Sequence, residues 1–124
     1  LPGSLTLVLR PKDTVPEYRR QTGEVSFRIA PDPVAQQLIA EFMAEHNAPL
    51  TATSANVSGQ PSLSTPQEIL EQFRSHGRDV SLITQVVDDG PRTGVGSTVV
   101  RVIDDQVEIL REGSVPKTDI LAVL

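Results

Sequence analysis

The stretch Thr53-Ser54-Ala55-Asn56-Val57-Ser58-Gly59 brings side-chain hydroxyls and an amide together within one short run. Such groups donate hydrogen bonds to phosphate and carboxylate oxygens. The same residue types also build solvated turns and helix caps, and Asn56-Val57-Ser58 matches a glycosylation sequon. Leu1-Pro2-Gly3-Ser4-Leu5 lacks the charged region and apolar core of a secretory leader, which weighs against the sequon. No Gly-x-Ser-x-Gly elbow surrounds Ser54, so a serine nucleophile has no support.

A second polar segment, Gly90-Pro91-Arg92-Thr93-Gly94-Val95-Gly96-Ser97-Thr98, shares the glycines and hydroxyls of a phosphate-cradling loop. It lacks the Gly-Lys-Ser/Thr ending of a P-loop and leads into a strand, so an ordinary glycine-rich connection competes with an anion-binding nest. Arg28 and Arg111 each fall on or just beyond a predicted strand, and a planar guanidinium can bind carboxylate or phosphate with two parallel hydrogen bonds. Either one alone also fits a surface ion pair. Together with the two hydroxyl-rich loops they point to an anionic ligand. His46 and His76 lie near predicted helix C-termini, where imidazolium complements the dipole, and no cysteine or His/carboxylate spacing offers a transition-metal site.

These groups need a scaffold to position them. A length of 124 residues suits one domain with its own core, and no apolar run approaches the roughly 18 residues of a membrane span. The absence of cysteine disfavours a secreted disulfide scaffold and makes a reducing cytoplasm the expected location. With a net charge of −5 and only four aromatic residues, the chain has neither the basic face nor the stacking platform of a nucleic-acid binder.

Leu5-Thr6-Leu7-Val8-Leu9 predicts a buried strand closed by Pro11. Alternation over Glu24 to Ala30 predicts a second, with Arg28 opposite the apolar set Val25, Phe27 and Ile29. Asp32-Pro33 opens a helix to about His46, and Leu50 to Thr53 reads as a short strand. Thr65-Pro66-Gln67-Glu68 is a capping box opening a helix that Gly77 closes. Ser81 to Val87 reads as a strand. Ser97 to Ile103 and Val107 to Leu110 form a predicted hairpin turning at Asp104-Asp105, and Lys117 to Val123 a last short helix. Strands alternating with helices, plus a terminal hairpin, predict an α/β domain with a mixed sheet.

Several motifs then resemble the YrdC-like threonylcarbamoyl-AMP synthase family. Pro2-Gly3-Ser4-Leu5-Thr6-Leu7-Val8-Leu9 is similar to its Pro-Gly-Pro-x-Thr strand, and Thr53 to Gly59 to its signature. Ser97-Thr98-Val99-Val100 and Ile109-Leu110-Arg111-Glu112-Gly113 resemble its closing motifs, and Arg28-Ile29 its Gly-Val-Arg-Ile-Pro element, with Ser26 and Ala30 in place of glycine and proline. The resemblance implies a YrdC-like fold, a twisted mixed sheet flanked by helices. It treats residues 1–124 as one partial domain whose family counterparts carry several tens of preceding residues, including a basic Lys-x-Arg segment.

The implied reaction joins L-threonine and bicarbonate into a carbamate that attacks the α-phosphate of ATP, giving threonylcarbamoyl-AMP and pyrophosphate for tRNA modification. The resemblance assigns Arg28, Ser54 and Ser97 to threonine and Asn56, Ser64 and Arg111 to ATP, with Mg2+ carried by the nucleotide. It also implies tRNA or double-stranded RNA as a partner of the intact domain. Two competing classes are an RNA-binding module, which the acidic balance disfavours, and the carbamoyl-transfer domain of a hydrogenase-maturation protein, for which no flanking zinc-finger or acylphosphatase-like sequence is present. The chain alone is expected to fold poorly or to expose a sheet edge that invites dimerisation or segment exchange, and to lack synthase activity.

Overall fold

The computed structural model describes residues 1–17 and 22–123. Their elements, in chain order, are β1 (Leu5–Leu9), β2 (Val25–Phe27), α1 (Pro33–His46), α2 (Pro66–Ser75), a 3-10 turn (Val80–Leu82), β3 (Thr98–Ile103), β4 (Gln106–Arg111) and α3 (Lys117–Leu121). They fall into two compact units, Leu1–Leu50 with Val95–Leu124, and Thr51–Gly94.

The first unit is built on a four-stranded sheet of order β2-β1-β3-β4. β1 runs antiparallel to β2 and parallel to β3, and β3 runs antiparallel to β4, so the predicted mixed sheet is present. The pairing Leu7↔Phe27, Leu7↔Val100 and Val100↔Ile109 puts one apolar set on a single face, with Leu5, Leu9, Val25, Val102 and Val107 beside it. The opposite face carries Thr6, Val8, Ser26, Val99, Arg101 and Glu108. Val8, Val100 and Ile120 are buried, whereas Phe27 keeps 42% of its surface exposed.

Local chemistry explains the helices. Asp32 Oδ1 accepts from the Ala35 N–H at 3.0 Å at the start of α1, with Pro33 at the first helical position, and Asn47 closes the helix in the left-handed region at φ 49°. In the second unit, Thr65 and Glu68 form the reciprocal capping box of α2. At its far end the Gly77 N–H reaches Arg74 O and the Arg78 N–H reaches Phe73 O, a Schellman motif that needs the φ of 67° a glycine adopts freely. The β3–β4 hairpin turns through Asp104 and Asp105, at φ 51° and 62°, the double positive φ of a type I′ turn.

Two predicted strands are absent. Residues 50–53 form no strand, and within 81–87 the chain makes a 3-10 turn over Val80–Leu82 followed by irregular backbone. The reason at 81–87 is local: Asp79 Oδ1 accepts from both the Ser81 N–H (2.9 Å) and its hydroxyl (2.6 Å), which offers the backbone a turn in place of a ladder. Thr51, Ala52 and Thr53 fall in the second unit, whose described residues include no strand to pair with, and strand propensity is largely a property of the neighbours. β2 is also shorter than predicted, although the Gly3 N–H still bonds Ile29 O at 3.0 Å beyond its end. The last helix stops at Leu121 instead of Val123.

Candidate functional site

Ser97 lies immediately before β3 and is buried, with 6% of its surface exposed. Arg28 Nη1 donates to Ser97 Oγ at 2.8 Å. Arg111, at the end of β4, donates to the Ser97 carbonyl through Nε at 3.1 Å and Nη2 at 2.7 Å. Two arginines from opposite edges of the sheet thus meet on one serine.

Strand alternation explains Arg28, and a bulge explains Arg111. Val8 pairs with Ser26, so Ser26 and, two residues on, Arg28 share the face of Val8, Val99 and Arg101. Ser97, two residues before Val99, belongs to the same side. On β4, Val100 pairs with Ile109 but Val99 pairs with Arg111, leaving Leu110 as the extra residue. Simple alternation would put Arg111 on the apolar face with Ile109. The bulge at Leu110 turns it over to the face of Ser97, the kind of re-aiming for which bulges are found beside functional sites.

The resulting cluster suits an anion. Among the described residues neither Arg28 nor Arg111 forms an ion pair with a carboxylate. Both guanidinium groups retain N–H donors beyond those spent on Ser97, and the Ser97 hydroxyl, accepting from Arg28, keeps its own proton to donate. A carboxylate placed there would receive charge-assisted hydrogen bonds.

The same sheet face holds a different arrangement at its other end. A concavity of about 450 Å³ is lined by Arg10, Glu24, Arg101, Gln106 and Glu108 among others. Its cations are already matched: Arg101 bonds Glu24 at 2.8 Å and Glu108 at 3.1 Å, and Arg10 grips Asp104 through two hydrogen bonds. Hydrogen bonding to Glu24 raises the Arg101 pKa above its ordinary value. This is an ion-pair network, unlike the arginines at Ser97.

In the second unit, Ser54 is exposed and Asn56 and Ser64 are half-buried. Asn56 Nδ2 donates to Gln60 O at 2.6 Å and to Val57 O at 3.2 Å, so its amide nitrogen braces its own loop. Oδ1 remains, and an acceptor suits a ribose hydroxyl or a base amino group better than a phosphate oxygen. Gln72 of α2 fixes the loop from the other side, accepting from the Val57 N–H at 2.8 Å and donating to Pro61 O at 3.1 Å. The Ser64 carbonyl accepts from the Arg92 N–H at 2.8 Å, tying the glycine-rich segment to the start of α2.

His46 packs its ring on Phe42 at 4.4 Å between centroids, and His76 Nδ1 lies 2.8 Å from Gln72 O, as residues of helix ends. Among the described residues no group of three His, Cys, Asp or Glu could hold a metal, and no helix is long and apolar enough to cross a membrane. Thr98 and Gly113, which join the segments carrying Ser97 and Arg111, were not among the candidates from sequence. Both lie inside motifs quoted from the sequence, but neither the buried hydroxyl of Thr98 nor the close approach at Gly113 shows in residue type or spacing.

Comparison with known proteins adds a family. The Sua5/YciO/YrdC family model, described as telomere recombination, matches residues 1–113. The threonylcarbamoyl-AMP synthase of Bacillus subtilis is 36% identical over 127 residues, covering 99% of this chain and 34% of that protein. The enzyme of the same name from Pyrococcus abyssi is 33% identical over 99% of this chain and 34% of its own length. The chain therefore spans about a third of these relatives. Among solved structures, P. abyssi Sua5 complexed with L-threonine superposes with a TM-score of 0.76 at 31% identity, over 99% of this chain and 34% of that one. E. coli YciO, at 24% identity and a TM-score of 0.67, shares the fold, over 94% of this chain and 53% of its own. A mixed sheet that brings Arg28, Ser97 and Arg111 to one face, and a family match running from the first strand to Gly113, together establish that this chain belongs to the Sua5/YciO/YrdC family.

Proposed function

We propose that this chain is part of an ATP-dependent L-threonylcarbamoyladenylate synthase, and that its first unit recognises the carboxylate of L-threonine. The observation that carries this reading is the convergence of Arg28 and Arg111 on Ser97, with no carboxylate among the described residues paired to either guanidinium. Resemblance to a structure holding L-threonine supplies the ligand class.

In this reading Arg28 N–H groups and the Ser97 hydroxyl grip the threonine carboxylate; the family resemblance assigns Ser54 to threonine as well. The threonine amine and bicarbonate combine, with loss of water, into a carbamate. A carbamate oxygen attacks the α-phosphorus of ATP, and pyrophosphate leaves with the electron pair of the broken P–O bond. ATP would enter as its magnesium complex, Mg2+ being a hard cation that needs few protein ligands and would offset phosphate charge. The family resemblance assigns Asn56, Ser64 and Arg111 to the nucleotide, and Arg111 keeps donors beyond those spent on Ser97. The chemistry asks little covalent help of the protein and much orientation of donors around crowded negative oxygens. The product feeds tRNA threonylcarbamoyladenosine formation.

The test separates binding from turnover. Calorimetry with L-threonine alone should give saturable binding that D-threonine or threonine amide does not reproduce. Incubation of the chain with ATP, threonine and labelled bicarbonate, beside a full-length family member, then measures pyrophosphate release. No threonine binding by the folded chain would reject the reading.

A further inference from the structure

Thr98 has no exposed surface. Its Oγ1 donates to Val115 O at 2.6 Å and accepts from the Gly113 N–H at 2.9 Å and the Val115 N–H at 3.1 Å. That fills the hydrogen-bonding capacity of a hydroxyl, and every bond goes to the same turn after β4. Gly113 seals the contact from the other side. A Cβ there would lie 2.0 Å from Gly96 O, 2.6 Å from Ser97 C and 2.7 Å from Thr98 N, all backbone atoms that cannot swing away. An outer pair of bonds continues the seam, from the Ser114 N–H to Gly96 O at 3.0 Å and from Ser114 Oγ to Val95 O at 2.6 Å.

The seam joins the segment that carries Ser97 to the segment that carries Arg111. Packing alone does not call for a hydroxyl at Thr98, because valine has nearly the same shape and Val100 is buried next along the same face. What the hydroxyl adds is registration. It fixes where the end of β4 stands relative to Ser97, and so whether the Arg111 guanidinium can reach the Ser97 carbonyl while Arg28 holds the hydroxyl. Displacements on the order of 1 Å are enough to spoil such a constellation.

We propose that Thr98, locked against Gly113, is a positioning residue for carboxylate recognition: it acts through Ser97 and Arg111 and touches no ligand itself. This deepens the threonine-site reading above and rests on it. Thr98→Val keeps the shape and removes the hydroxyl, and Thr98→Ser keeps the hydroxyl. Both are compared with wild type in the full chain, at a temperature where thermal melts show each to be folded. One readout is L-threonine affinity by calorimetry; the other is solvent exchange of the Arg111 Nε–H by NMR, which needs no ligand. Thr98→Val should bind threonine roughly tenfold or more weakly and exchange Nε–H faster, as expected when buried groups lose their partners. Thr98→Ser should restore both. A purely structural role would lower the melting temperature of Thr98→Val while leaving the affinity and exchange of the folded protein unchanged, and that result overturns the proposal. If Thr98→Val does not fold, Thr98→Ala, which removes the same hydroxyl without a methyl against the Gly113 and Val115 N–H groups, takes its place, and wild-type affinity and exchange in that variant would overturn the proposal too. Should wild type bind no threonine, the threonine reading fails separately, and the Nε–H exchange alone decides whether Thr98 sets the pocket.

Discussion

At the scale of single residues, the site depends on which polar atoms are already spent. Arg28 uses one Nη1 hydrogen on Ser97 and has donors to spare, so it is the group most able to reach a carboxylate. Arg28→Ala should weaken L-threonine binding by about 1.5–3 kcal/mol, the worth of a charge-assisted hydrogen bond. Arg28→Lys should recover only part, because an ammonium cannot hold Ser97 Oγ and a ligand oxygen in one plane. Unchanged calorimetric affinity in Arg28→Ala would remove it from the site. Asn56 makes the opposite case, since its amide nitrogen is committed to two loop carbonyls. Asn56→Asp sets carboxylate oxygen against those carbonyls and should lower stability by about 1–3 kcal/mol, read as a drop in the thermal midpoint. A midpoint equal to that of wild type would show that the brace does not form.

At the scale of elements, the bulge at Leu110 decides which face Arg111 serves. Deleting Leu110 makes Arg111 the residue directly after Ile109, so plain alternation then holds it on the face of Ser97 without a bulge, and threonine binding should persist while the hairpin still forms. Circular dichroism and calorimetry on the deletion check the two halves, and lost binding with an intact hairpin would show that the bulge does more than choose the face of Arg111. The capping box of α2 carries a pH signature of its own. The Thr65 hydroxyl, and then the Thr65 N–H, hold the Glu68 carboxyl below its ordinary value. A carboxyl whose folded pKa is depressed contributes stability above its unfolded pKa and loses it as the pH falls through the folded one. Thermal midpoints of wild type should therefore exceed those of Glu68→Gln at neutral pH, and the gap should close in acid below the ordinary carboxylate range. A gap independent of pH would mean that the charge of Glu68 takes no part. Thr65→Ala should cost about 1 kcal/mol by loss of the cap itself.

At the scale of the whole molecule, much apolar surface is uncovered. Val34, Leu38 and Met43 of α1 are exposed, as are Phe27, Ile29, Val86 and Val87. Exposed apolar surface of this extent marks a contact region or an association hazard, while a net charge of −5 holds like molecules apart. Salt screens that repulsion and leaves the apolar term intact. Sedimentation velocity should accordingly show concentration-dependent self-association that strengthens as ionic strength rises toward about 1 M. Leu38→Asp combined with Met43→Asp should reduce it. A monomer at all salt concentrations would show that these side chains find cover within the chain.

The sequence by itself determined whatever rests on neighbours along the chain. The Asp32-Pro33 start of α1, the Thr65-Glu68 box, the Gly77 stop and the type I′ turn at Asp104-Asp105 are each set by a few adjacent residues whose caps and φ preferences act locally. The alternation that sends Arg28 away from Phe27 and Ile29 is equally local. The strand predicted at 50–53 failed because a strand exists only when another pairs with it, and the one at 81–87 because the Asp79 side chain holds the backbone at Ser81 in a turn. The site needed more still. Ser97 and Arg111 were legible as candidates, but their meeting depends on one extra residue in β4, which inverts the face of everything after it. It depends as well on a buried hydroxyl at Thr98 that ties two segments 15 to 17 residues apart in sequence. Register and long-range hydrogen bonds are decided between segments, so only the tertiary structure could settle which polar residues share a pocket.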